Sequence, residues 1–289
     1  MTQVGLFTKM LQLHMAEFHE QGYTILPRII DNTVLAGVRS DLSRWVDTQA
    51  QSLIAQGLIS DPLIDAPFET RLARLYAQHK DKAPLSLREE LHTPGMFGLF
   101  FCPAVLDLVE MILGPELRLY PNYTVRPKLP DHAPTEVLWH QDGGYTKYSM
   151  GDGSSAVDGL RMVNVWSPLV PARKHNGCMQ FIPGTHKLGV VPHTKKKHYL
   201  EIDAEYIQPR LDQTVDVICD PGDVVLFSNL LFHMGQPNRS DAIRWSCDWR
   251  YQDATQPTGR QEHGHLARST ASPERAISFP EQWSRLTFS

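Results

Sequence analysis

From residue 115 onward the chain is a succession of short apolar segments cut by turn residues, and that pattern leaves few folds open. Segments 117–126, 137–142, 161–169, 179–182, 214–218, 223–227 and 242–251 each have strand length. Pro183-Gly184, Pro221-Gly222 and the polar cluster 236–241 punctuate them. The last segment states its period openly. Ile243, Trp245, Cys247 and Trp249 alternate with Arg244, Ser246, Asp248 and Arg250. Successive side chains of a strand point to opposite faces, so Arg244 is expected on the face away from the tryptophans, in the lumen of the fold. Many short strands with regular turns suggest a sandwich or jelly roll.

The first 115 residues read differently. Segment 7–22 carries Met10, Leu13 and Phe18 at helical spacing and ends at Gly22. Asp31, Asn32 and Thr33 offer a cap to 34–50, where Leu35, Val38, Leu42, Trp45 and Val46 form one stripe. Segment 103–113 is a third helix, stopped by Gly114-Pro115, and 22–27 is a strand. The fold class is therefore an all-β core with flanking helices (α+β), a jelly roll of cupin-like form. We expect one domain over 1–289, helix-rich over 1–115, with the core at about 116–252 and a C-terminal tail at 253–289.

Composition narrows the function classes. Apolar residues are 42% and charged residues 21%, which suits an ordered core. Lys+Arg number 28 against 32 Asp+Glu, a net charge of -4, so no nucleic acid is expected as a partner. Cys102, Cys178, Cys219 and Cys247 form no CxxC pair and are expected as reduced core thiols. Segment 1–22 mixes Lys9, His14, Glu17, His19 and Glu20 into its apolar residues, unlike a secretion signal. No apolar run is read as approaching the ~18 residues a membrane helix needs. The expectation is a soluble cytoplasmic protein acting on a small molecule, with no membrane partner and its oligomeric state open.

Two His-x-Asp tripeptides are candidates for metal ligation. In a strand, residues two apart share a face, so a His and an Asp at that spacing can offer nitrogen and oxygen to one ion. His79-Lys80-Asp81 lies in a polar stretch near a helix end and reads as solvated surface. His140-Gln141-Asp142 follows Val137-Leu138-Trp139 at a strand end and precedes Gly143-Gly144. His233 is the best third ligand, after the turn at Pro221-Gly222-Asp223, and Arg244 lies on the next strand. Two His and one carboxylate leave three positions of an octahedral iron(II) open, as in non-haem oxygenases. An arginine nearby supplies a planar fork for a carboxylate. Taken singly, His233 reads as a satisfied core histidine and Arg244 as an ion-pair partner. Together, on a jelly-roll pattern, they read as iron plus a dicarboxylate co-substrate.

The same residues carry a resemblance. The chain is similar to the phytanoyl-CoA dioxygenase family of iron(II)/2-oxoglutarate-dependent oxygenases in the opening Phe18-His19-Glu20-Gln21-Gly22-Tyr23, in Trp139-His140-Gln141-Asp142-Gly143, and in Asn176-Gly177-Cys178-Met179 running to Pro183-Gly184-Thr185-His186-Lys187. Pro221-Gly222-Asp223, His233 and Arg244 complete it, over about residues 15–250. The resemblance implies a double-stranded β-helix, with His140, Asp142 and His233 holding iron(II) and Arg244 holding the distal carboxylate of 2-oxoglutarate. It further implies that Arg126, before Pro127, touches 2-oxoglutarate, with Lys128 as its rival, and that Trp166 lies beside the co-substrate. Met234-Gly235 stands where many members have small or hydroxylated residues, and Ser246 is the candidate substitute for that hydroxyl.

The function so implied is oxidation of a small organic metabolite by dioxygen, with release of succinate and carbon dioxide. Asp142 supplies the carboxylate that halogenating relatives of this fold lack, so hydroxylation without chloride is the default; desaturation, ring formation and epoxidation stay open. The rivals are a metal-dependent hydrolase, against which the absence of an obvious general base argues, and a non-catalytic jelly-roll binding protein. Lys195-Lys196-Lys197 is read as a solvated loop, with a phosphate-bearing substrate as the alternative. The stretch 145–159 is a lid or a long connection, and His186 is a turn residue.

Overall fold

The computed structural model of the protein describes residues 3–150, 157–197 and 199–288. Its N-terminal part is helical: α1 (Gln3–Gln21), α2 (Asn32–Ala55), α3 (Phe68–Leu75), α4 (Pro94–Phe100) and α5 (Pro103–Leu113), with β1 (Tyr23–Leu26) after the first helix. Then come β2 (Leu117–Leu119), β3 (Thr124–Lys128), β4 (Val137–His140), α6 (Asp142–Met150), β5 (Met162–Pro168) and β6 (Met179–Ile182). They are followed by β7 (His193–Lys195), β8 (Leu200–Ile202), α7 (Ala204–Ile207), β9 (Val215–Val217), β10 (Val224–Ser228) and β11 (Phe232–Gly235). The chain closes with β12 (Arg244–Asp253), β13 (His265–Arg268) and α8 (Pro280–Trp283).

A seven-stranded sheet runs β1-β10-β5-β12-β2-β13, with β3 also paired to β12. A four-stranded sheet runs β4-β11-β6-β9, and β7-β8 is a separate hairpin. The pairings are antiparallel, and the sheets do not close into a barrel. This is the expected jelly-roll architecture.

The period of two decides what each face meets. On β10, Val224 and Leu226 join the core shared with α2, α4 and α5, whereas Val225 and Phe227 join the core between the sheets. On β5, Val163 and Val165 face the helices, and Trp166 faces the small sheet. On β12, Trp245, Cys247, Trp249 and Tyr251 are all buried under the helical layer. Their neighbours Arg244, Ser246, Asp248 and Arg250 therefore point inward, as the alternation predicts. Burial of those aromatic rings, each removing 150–250 Å² from water, fixes the register of β12, because a slip of one residue would exchange the two faces.

Several expectations are corrected. Segment 117–126 is two strands, because Pro121 has no N–H to give the ladder and Asn122 N–H turns back to the Tyr120 carbonyl at 2.6 Å. Segment 137–142 leaves the sheet at His140, so Asp142 opens a helix instead of ending a strand. The second helix continues to Ala55 because Leu53 extends its buried stripe, and its Asp31 makes no side-chain cap. The tail expected at 253–289 is built into the fold: β13 pairs with β2, and fully buried Trp283 donates from Nε1 to the Leu91 carbonyl at 3.0 Å. The stretch Pro94–Leu113 is long and apolar enough to cross a bilayer by composition, with mean hydropathy 2.0. Here it is divided into α4 and α5, and more than half of it is buried within the protein. All four cysteines are buried and unpaired, as expected.

The turn at Asp220–Asp223 shows how the strands are cut. Asp223 N–H donates to the Asp220 carbonyl at 3.0 Å, and Gly222 takes a φ of +96° that only glycine adopts without strain. The turn sends β10 back beneath the helices and toward β11, which carries His233.

Candidate metal centre

His140 and His233 are cross-strand partners on β4 and β11, with ring centroids 4.0 Å apart. Each ring is fixed in the same way. His140 Nδ1 bonds the Leu138 carbonyl at 2.7 Å, and His233 Nδ1 bonds the Leu231 carbonyl at 2.9 Å. A carbonyl only accepts, so both Nδ1 atoms carry the proton and both Nε2 atoms keep a free lone pair. Those two lone pairs converge on Asp142. His140 Nε2 lies 3.8 Å from Asp142 Oδ1, and His233 Nε2 lies 3.7 Å from Oδ2. The separations are too long for hydrogen bonds. They suit one cation among the three, and one ligand atom from each residue lies within 4.8 Å of the others.

The charge states fit the same reading. Burial pushes both imidazoles below their ordinary pKa, His140 furthest, with His233 adding to it, so the lone pairs stay free near neutral pH. Burial alone would raise the Asp142 carboxyl, but Arg250 and the two histidines outweigh it, and the pKa falls. A cluster of two neutral imidazoles and a carboxylate is a hard-to-borderline donor set that suits iron(II).

The first turn of α6, which carries Asp142, is packed closely at Gly143 and Gly144. Gly143 N–H donates to the Asn229 carbonyl at 2.8 Å, and a Cβ on Gly144 would lie 2.6 Å from the His193 ring. The turn is clamped from outside by Gln141. Its Nε2 donates to the Gly189 and Leu230 carbonyls at 2.8 and 2.6 Å, and its Oε1 accepts from Val191 N–H at 2.9 Å.

A narrow cleft joins the three residues to Arg244. Trp166, Met179 and Phe227 supply apolar wall. Arg244 is 3% exposed, its Nε donates to the Gly177 carbonyl at 3.2 Å, its Nη1 donates to Ser246 Oγ, and its guanidinium lies 5.5 Å over the Trp166 ring. Burial lowers its pKa to about 10, so it remains a cation. Among the described residues no carboxylate pairs with it. Ser246, the candidate substitute hydroxyl, accepts from Arg244.

The other expectations separate. Arg126 lines the cleft, half-buried, with Nε on Asp248 Oδ2 at 2.8 Å. Lys128 is buried with its ammonium spent on the carbonyls of Thr135, Gly235 and Gln236 at 2.7, 3.2 and 2.7 Å, which removes it as a rival anchor. His79 and Asp81 flank an exposed turn away from the cleft. His186 bonds the His19 carbonyl at 3.1 Å and lies under Gly22, the structural role expected of it. Lys195 and Lys196 are exposed on the β7–β8 hairpin, against Tyr148 and Glu201, and do not line the cleft. The stretch 145–159 begins as the end of α6, and its residues 151–156 lie outside the described residues.

Two residues were missed from the sequence. Arg250 Nη2 donates to Asp142 Oδ1 at 2.5 Å, and Asn164 Nδ2 donates to Asp142 Oδ2 at 2.7 Å. Arg250 was visible as a polar member of the inward stripe of β12, and Asn164 as one amide inside the apolar run Met162–Pro168.

With this geometry in hand, comparison with known proteins gives one picture. The family model described as phytanoyl-CoA dioxygenase (PhyH) matches residues 18–246. A probable phytanoyl-CoA dioxygenase of Caenorhabditis elegans is 27% identical over 179 residues, 59% of this chain and 55% of that protein. The human peroxisomal phytanoyl-CoA dioxygenase is 22% identical over 302 residues, 97% of this chain and 83% of that protein. Among solved structures, EctD from S. alaskensis with 2-oxoglutarate and 5-hydroxyectoine superposes with a TM-score of 0.56 at 21% identity, over 93% of this chain and 84% of that one. The shared fold is the double-stranded β-helix.

Proposed function

The chain belongs to the phytanoyl-CoA dioxygenase family of iron(II)/2-oxoglutarate-dependent dioxygenases, and from that premise we propose that it hydroxylates a small organic molecule in the cleft between His140, Asp142, His233 and Arg244. In this reading the first three residues hold iron(II), and Arg244 binds the distal carboxylate of 2-oxoglutarate. We take 1–289 as one oxygenase domain, since the helical layer and the large sheet share one core.

The observation that carries the reading is the state of Arg244. A buried ion without a partner costs several kcal/mol. Arg244 has no carboxylate partner among the described residues, yet it lies in the same cleft as a cation-ready triad. A dicarboxylate that meets the metal at one end and Arg244 at the other satisfies both. When bound, iron(II) with 2-oxoglutarate and dioxygen supplies oxidative decarboxylation to succinate and carbon dioxide, coupled to oxidation of a C–H bond.

The chain's own residues position and protect that chemistry. The Leu138 and Leu231 carbonyls hold both imidazoles in the tautomer that leaves Nε2 free. Ser246, the Gly177 carbonyl and the Trp166 face orient the Arg244 fork. Arg126 is a second cationic contact for 2-oxoglutarate, already steadied by Asp248. Trp166, Met179, Phe227 and Met234 exclude water from the cleft. A hydrolase would need a free general base beside the metal. Asp248, the other carboxylate lining the cleft, is committed to Arg126.

The test is the fate of labelled dioxygen. With a substrate found by succinate release across metabolite pools, one labelled atom is expected in succinate and the other in a hydroxylated product, at the same rate with or without chloride. A halogenated product, or turnover without succinate, contradicts the reading.

A further inference from the structure

Asp142 is not held by the sheet. It opens α6, two residues beyond the end of β4, so no strand pairing fixes its backbone as the β4–β11 pairing fixes the two histidines. Its orientation comes from two donors on neighbouring strands. Arg250 of β12 and Asn164 of β5 are direct cross-strand partners, and each donates to a different carboxylate oxygen, at 2.5 and 2.7 Å. Both donors are buried. Asp142 is the one carboxylate in ion-pair contact with Arg250 among the described residues. Arg250 Nη1 and Asn164 Oδ1 are buried without protein partners there, so neither side chain is placed by an alternative bond of its own at those atoms.

We propose that Arg250 and Asn164 are positioning residues for metal binding: together they fix the plane of the Asp142 carboxylate so that it faces the two Nε2 atoms before the ion arrives. The inference rests on the reading of His140, Asp142 and His233 as the metal site. Two effects of Arg250 oppose each other. Its charge repels a divalent cation, whereas its hydrogen bond orders the ligand. If charge dominated, removing it would tighten metal binding. If ordering dominates, removing it weakens binding, by the 10–100-fold typical when a partner of a metal ligand is lost. A single charged bond less than 3 Å long on a carboxylate that no strand holds favours ordering. A purely structural role, in which Asp142 serves only to neutralise buried Arg250, predicts altered stability and no selective change in metal affinity.

The experiment measures cobalt(II) affinity of the full apo chain from the visible d–d absorption, with no turnover involved. Arg250→Met is expected to weaken cobalt(II) binding at least tenfold while circular dichroism stays as in the wild type. Arg250→Lys restores part of the loss, since it keeps one charged donor without the fork. Asn164→Ala gives a smaller loss, about threefold or more, and carries the test if Arg250→Met does not fold. Wild-type affinity, or tighter binding, in folded Arg250→Met or in Asn164→Ala overturns the inference and leaves the metal site standing. Absence of cobalt(II) binding in the wild type, or its persistence in His233→Ala, overturns the metal site and the inference with it.

Discussion

His233→Ala is expected to abolish iron(II)-dependent turnover of 2-oxoglutarate, and His140→Ala to do the same. Each imidazole contributes one free Nε2, and each is neutral because burial holds its pKa down. Alanine removes the lone pair and leaves the Leu231 or Leu138 carbonyl without its donor. Two ligand atoms remain, and a two-residue site does not retain iron(II) against solvent at the concentrations of an assay. The measurement is iron bound per chain after desalting, beside succinate released. About one iron per chain is expected for the wild type and a trace for either variant. A variant that kept most of its iron-dependent activity would remove that residue from the ligand set.

Arg244→Ala is expected to raise the apparent Michaelis constant for 2-oxoglutarate by a factor of about 30 or more. Truncating one partner of a buried charge pair costs about 2–5 kcal/mol, and each 1.4 kcal/mol is tenfold in affinity. The cost belongs to the upper part of that range if the distal carboxylate finds no other cation. Lys128 cannot replace it, because its ammonium is spent on three carbonyls. Arg244→Lys is expected to recover only part of the loss, since a point charge does not reproduce the fork that Ser246 and the Gly177 carbonyl orient. Iron content should stay at the wild-type level in both variants. An unchanged constant in Arg244→Ala would transfer the anchor to Arg126, the other arginine of the cleft.

How much of this was legible in the sequence depended on the range of each interaction. The alternation of 243–250 placed Arg244 opposite the tryptophans because the period of a strand is local and exact to two residues. His140, Asp142 and His233 were found as residue types near strand ends, and the structure brings them together although Asp142 belongs to a helix. The assumed strand geometry was wrong there and the convergence right, because Asp142 at the start of α6 still faces both histidines, in a helix turn packed so closely that side chains on Gly143 and Gly144 would meet Leu230 and His193. Arg250 was equally visible as an inward polar residue. Its partner Asp142 is 108 positions away, and no local period states which inward residue meets which turn. Asn164 carried a usable signal, since an amide in a strand buried along its whole length must find a hydrogen-bond partner. The C-terminal strand β13 was missed because it is short and joins the sheet through β2, which is 148 residues earlier by the spacing of Leu117 and His265.

The central claim is that one cleft holds iron(II) on His140, Asp142 and His233 and 2-oxoglutarate on Arg244. The most direct measurement is the visible spectrum of the iron(II)-loaded chain under anaerobic conditions as 2-oxoglutarate is added. A weak charge-transfer band is predicted, saturating at one equivalent in the wild type, needing far more 2-oxoglutarate in Arg244→Ala, and absent in His233→Ala. A wild-type chain that binds iron(II) and shows no band at saturating 2-oxoglutarate would contradict the account.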